Sequence, residues 1–172
     1  DKQTYYKLTL SGGDPDSVRE MAQTLYEGKC VDGDIALCEA ALSTQCFLKL
    51  VELGVPFPRN RYGEYIGYKT DHDPRRRATS VGPYTSKRMT ECLEAAVQAK
   101  GVPVLDKTQV IKVLSENGTV CGLLCLNVTA QSEDERFVLI RCKNVVYATG
   151  GPAGMYADSV YPFSQYLSLI HI

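Results

Sequence analysis

The sequence predicts an α/β fold: part of a doubly wound sheet into which an antiparallel β-meander is inserted. Three observations predict it. Apolar residues recur at helical spacing in three segments upstream of Gly101. From Val102 onward the period changes to two. The alternating stretch then leads into a short apolar run, Val145-Val146-Tyr147, which passes directly into the small residues Ala148, Thr149, Gly150 and Gly151.

Asp14 and Pro15 open the first predicted helix, the aspartate as N-cap and the proline as first helical residue. Val18, Met21, Ala22 and Leu25 follow at helical spacing, and Gly28 is the stop. A second helix is expected from Asp34 to Leu53, ended by Gly54. Its buried stripe is read as Ile35, Cys38, Leu42, Cys46, Leu50 and Leu53, which gives both cysteines a packing role. Residues 55–84 show no period and carry Pro56, Pro58, Pro74, Pro83 and many charges. A stretch of that length is expected to be a functional or mobile loop. Within it, Arg75, Arg76 and Arg77 are expected to be solvated, in preference to holding an anionic substrate, a phosphate or RNA. The third helix is expected from Ser86 to Lys100, with Met89, Cys92, Leu93, Ala96 and Val97 as its apolar face.

Val102 to Leu105 reads as a short strand. Gln109 to Leu114 and Thr119 to Val128 read as a hairpin, because Asn117-Gly118 is a turn pair that accepts positive φ at both residues. Arg136 to Cys142 would be the third strand of this meander, and Val145 to Tyr147 a buried strand of the main sheet.

A net charge of -1, with 23% of residues charged, implies neither a nucleic-acid nor a membrane partner for the chain as a whole. No run reaches the roughly 18 to 20 apolar residues that span a bilayer. A cytoplasmic protein is therefore expected, with peripheral membrane association left open. The seven cysteines are odd in number and include no C-x-x-C pair. Only His72 and His171 could complete a metal site with Cys121 and Cys125, so free thiols and no metal are expected. The sequons at Asn117 and Asn127 are read as chance.

A buried strand that ends in small residues is a recurring cofactor device. In doubly wound sheets ligands lie beyond the carboxyl ends of the strands, where missing side chains let a phosphate or ribose approach the backbone. Ala148, Thr149, Gly150 and Gly151 fit that role, although a turn can hold Gly-Gly for conformational reasons alone.

The segments Leu53 to Phe57, Lys87 to Gly101, Thr108-x-Val110, Asn117-Gly118-x-Val120-x-Gly122 and Val145 to Gly151 together resemble the flavoprotein subunits of the fumarate reductase and succinate dehydrogenase type. The resemblance covers about residues 10–156. It implies that residues 1–166 are part of a Rossmann-like FAD-binding domain. Val110 would hold the adenine through its backbone, and Ala148, Thr149, Gly150 and Gly151 would lie beside FAD. Ser86 and Lys87 would lie near the flavin, where many relatives carry Gly-x-His. The family's pyrophosphate-binding G-x-G-x-x-G turn is expected upstream of Asp1. Its catalytic arginine and histidine are expected in a downstream capping domain, so no catalytic residue is assigned. Residues 167–172 depart from the family and are read as a non-native tail. The implied activity is hydride transfer between flavin and a small carboxylate such as fumarate or succinate. A related flavin dehydrogenase acting on a ketosteroid or an amino acid, or a non-catalytic nucleotide-binding or interaction module, are the alternatives.

Overall fold

The computed structural model describes residues 4–11, 13–29, 31–70, 73–150, 157 and 158, divided into two compact units, 1–103 and 104–172. Gly151, His72 and residues 167–172 lie outside the described residues, with the expectations placed on them.

The first unit contains β1 (Tyr5–Tyr6), α1 (Val18–Glu27), α2 (Gly33–Glu52), β2 (Ala78–Thr79), a 3-10 turn (Gly82–Tyr84) and α3 (Thr85–Ala99). β1 and β2 pair antiparallel, and the Lys7 amide continues the ladder by donating to the Arg77 carbonyl at 3.1 Å. This small sheet was not foreseen, because two-residue strands leave no period to read.

α1 begins three residues later than expected. Ser17 is the N-cap, and its hydroxyl accepts the Glu20 amide at 3.2 Å. Asp14 is not the cap: its carboxylate accepts instead from the Arg76 amide at 2.9 Å. A tertiary partner has displaced the local role that its position suggested.

α2 matches its predicted span, but not its predicted face. Ala36, Ala40, Ser43, Phe47 and Leu50 are buried. Ile35, Leu42, Cys38 and Cys46 are exposed, Ile35 at 61%. The larger apolar stripe lost to the smaller one because α2 packs closely on α1, where Ala40 meets Met21 and Ala22. Close helix packing selects small side chains. The main core forms at the far end of α2. There Phe47 packs on Phe57 and Tyr65, with ring centroids 4.7 and 4.9 Å apart, alongside Leu50 and Val55. From α3, Met89 and Cys92 reach this core, whereas Leu93 and Val97 remain exposed.

The stretch 55–84 is folded, and two of its arginines, Arg75 and Arg77, are not solvated as expected. Bridges Arg59–Tyr65 and Tyr68–Ala78 fold it back on itself. Arg77 is fully buried and forms a bidentate pair with Asp16, with a second carboxylate, Asp73, at 3.3 Å. Arg75 pairs with Glu20 at 2.7 Å and Asp14 at 3.4 Å. Arg75 and Arg77 thus clamp the start of α1, whereas the Arg76 side chain is exposed, as expected.

The second unit is the meander: β3 (Thr108–Glu116), β4 (Thr119–Asn127) and β5 (Phe137–Arg141), antiparallel in the order β3-β4-β5. Asn117 and Gly118 both have positive φ, as the hairpin requires. Gly122 has a different reason to lack a side chain, since a Cβ there would sit 2.6 Å from the Ile140 carbonyl oxygen. Residues 102–105 form no strand, and Val104 and Leu105 are exposed. Val145 to Tyr147 form no strand either, and Val146 is 89% exposed. An apolar run becomes a buried strand only where neighbours complete its ladder. Among the described residues no backbone hydrogen bond reaches 144–150.

Candidate functional site

Ser86 and Lys87 occupy the first turn of α3, in the first unit. Thr85, fully buried, fixes that turn: its hydroxyl accepts the Val81 amide at 2.8 Å and donates to the Gly82 carbonyl at 2.9 Å. Ser86 is half-buried, and its carbonyl accepts from the Thr90 hydroxyl. Lys87 is exposed and leans along the helix toward Glu91, 3.8 Å away. With no side-chain cap, the turn presents backbone amides next to an exposed cation, a combination that suits an anionic group.

Val110 lies on β3 in the second unit. Among the described residues β3 pairs with β4 alone, which leaves its other edge without a strand partner. The pairing passes from Val110–Cys125 to Lys112–Leu124 and skips Ile111. This bulge interrupts the regular ladder beside Val110.

Ala148, Thr149 and Gly150 are exposed and irregular. Gly150 has φ of +81°, and a Cβ built there meets no atom within 4 Å. Its backbone is therefore open to close approach, in a conformation that an L-residue adopts only with strain. Within this unit no hydrogen bond among the described residues joins 148–150 to β3.

Sequence reasoning missed two features of the first unit. One is the clamp: Arg77 donates from Nε and Nη2 to Asp16 at 2.8 and 2.7 Å and from Nη1 to Thr24 at 3.0 Å. Burial alone would raise the Asp16 pKa, but bonds from Arg77 and from the Thr9 and Ser17 amides hold it below the usual range. The available signal was three acids, Asp14, Asp16 and Glu20, matched by three arginines sixty residues later. The other is Lys7, 1% exposed, whose pKa burial lowers to about 8 despite partial support from Asp16.

L-aspartate oxidase of Mesorhizobium japonicum is 27% identical over 164 residues, covering 92% of this chain and 31% of that protein. L-aspartate oxidase of Agrobacterium fabrum is 26% identical over 159 residues, covering 90% and 29%. The chain thus spans about 30% of the length of these curated relatives. Among solved structures, Mycobacterium smegmatis Sdh1 in complex with UQ1 superposes with a TM-score of 0.75 at 18% identity, over 90% of this chain and 28% of that one. An E. coli quinol fumarate reductase FrdA variant superposes with a TM-score of 0.72 at 21% identity, over 88% and 26%. The likeness shows a shared α/β fold, of which the antiparallel meander is one part. The family model for the FAD binding domain matches residues 6–170, and so the chain belongs to the FAD binding domain family.

Proposed function

We propose that the protein is an FAD-dependent oxidoreductase that moves a hydride between the flavin and a small carboxylate. The observation that carries this reading is the family match across 6–170, nearly the whole chain. FAD is the group such a domain binds, and it supplies the hydride-accepting ring.

Features of each unit, taken by itself, support this reading. The free edge of β3 at Val110 offers main-chain groups that could hold the adenine. Ala148, Thr149, Gly150 and Gly151 supply a hydroxyl and, at Gly150, open backbone beside the cofactor. Ser86 and Lys87 would stand near the flavin at the α3 N-terminus. The roles of acid and substrate anchor belong to an arginine and a histidine outside this chain. The N-terminal and capping portions of the same protein are the partners that complete the site. Among the described residues no helix is long and apolar enough to cross a membrane.

Two substrate readings share one chemistry. The resemblance to fumarate reductase and succinate dehydrogenase points to fumarate or succinate, while the curated relatives are L-aspartate oxidases. All are four-carbon dicarboxylates: fumarate is the unsaturated form of succinate, and aspartate is succinate bearing an amino group.

Anaerobic mixing of the full-length flavoprotein with succinate, L-aspartate or a ketosteroid tests the proposal. Bleaching of the flavin by one dicarboxylate supports it and selects the reading. A ketosteroid as sole reductant, or a full-length protein that retains no FAD, refutes it. The 172-residue chain alone is expected to hold FAD poorly and to turn nothing over.

A further inference from the structure

A polar cavity of about 390 Å³ lies in the first unit, lined from one side by residues between Lys7 and Asp14 and from the other by residues between Asn60 and Lys69, with Arg76. Its lining includes Lys7, Lys69 and Arg76, the hydroxyl residues Thr9 and Ser11, and the acids Asp14 and Glu64. Both acids are already engaged. Asp14 accepts from the Arg76 amide and pairs with Arg75. Glu64 accepts from the Asn60 amide group at 2.6 Å.

The cations are not engaged in the same way. Lys7 is 1% exposed, and its ammonium makes one long bond, 3.3 Å to the Leu8 carbonyl. It otherwise rests 4.8 Å from the centre of the Phe47 ring. Asp16, the carboxylate that supports its charge, is committed to Arg77 on both oxygens. Among the described residues no carboxylate lies within ion-pair distance of Lys7, and neither Lys69 nor Arg76 makes a side-chain hydrogen bond. An ammonium has three donors, and burying one with two of them idle is costly. The surplus in this cavity is therefore positive charge and unused N–H groups.

We propose that this cavity binds a small oxyanion, a carboxylate or a phosphate, with Lys7, Lys69 and Arg76 of its lining as the cationic partners. The volume lies within the range of small-ligand sites, about 300–1,000 Å³. The inference rests on the first unit alone and not on the substrate reading above. Anion binding supplies the partner that Lys7 lacks and draws it back to the fully charged form.

The test is a calorimetric titration of the full chain at neutral pH with inorganic phosphate and, separately, with succinate. Wild type should bind one of them, and which one binds tighter distinguishes a phosphate from a carboxylate ligand. Lys7→Met should weaken that affinity about tenfold, the value of one well-placed charged contact. Lys69→Ala, an exposed change that leaves the core intact, should weaken it by a smaller factor. If Lys7→Met does not fold, Lys69→Ala and Arg76→Ala decide. Absence of binding by both anions, or unchanged affinity in the folded variants, overturns the proposal.

Discussion

Arg77 and Asp16 meet in a bidentate pair, Nη2 to Oδ1 at 2.7 Å and Nε to Oδ2 at 2.8 Å, with the guanidinium fully buried. The pair ties β2 to the residue just before the α1 cap, and so holds the 55–84 stretch against the helix whose start it covers. Arg77→Leu would leave Asp16 and Asp73 as uncompensated carboxylates. Loss of one partner of a buried pair costs about 3–5 kcal/mol. Urea unfolding of the variant should show a loss of that order. The Asp16 pKa is lowered on folding, so the pair stabilises above the unfolded carboxylate range and is lost as pH falls through the folded value. In Arg77→Leu that acid dependence should shrink.

Lys7 makes the opposite contribution on the alkaline side. Its folded pKa is about 8, against 10.5 for the ordinary side chain. Between those values the unfolded chain binds more protons than the folded one, so stability from this residue rises with pH across that window. Stability measured at neutral pH and at pH near 10 should therefore converge between wild type and Lys7→Met, with the variant the more stable at neutral pH. A variant less stable at neutral pH would contradict this, because no buried charge would then have been relieved.

The choice of face on α2 is open to a paired substitution. Ala40 is fully buried against α1, and Ile35 is 61% exposed. Ala40→Leu forces methylenes into a packed interface and should destabilise the chain by about 1–3 kcal/mol. Ile35→Ser should change stability by less than about 0.5 kcal/mol. Thermal melting of the two variants checks the pair, and the reverse ranking would restore the larger stripe as the core face.

Gly150 bears on the cofactor. Its φ of +81° means that any side chain adds strain, on the order of 1 kcal/mol. Among the described residues a Cβ there meets no atom within 4 Å. Gly150→Val in the full-length protein is therefore expected to weaken FAD more than it disturbs the fold. Titration of FAD into folded variant and wild-type apoprotein measures this directly. Equal dissociation constants would remove 148–151 from the site.

Helices, turns and the meander were legible because their causes are local. Asn117-Gly118 dictates its own turn, and the alternation around it places β3, β4 and β5 within a residue or two of the expected bounds. The spans of α2 and α3 were legible for the same reason, being set by period and stop residues a few positions apart. The family motif was likewise carried by short segments in order. What the tertiary structure decided were relations between distant residues. The buried face of α2 depended on how near α1 could come, and a period of 3.6 shows two candidate stripes without saying which one faces a neighbour. The Asp14 carboxylate became a partner of the 75–76 segment, and the arginines became a clamp, because acids sixty residues away were brought to them. Tyr147 and its neighbours show the same rule from the other side. Their sequence reads as a strand, but a strand exists only with a backbone partner. The burial of Lys7 could not be read from Tyr-Tyr-Lys-Leu, because desolvation is a property of everything that surrounds a charge and not of the residue that carries it.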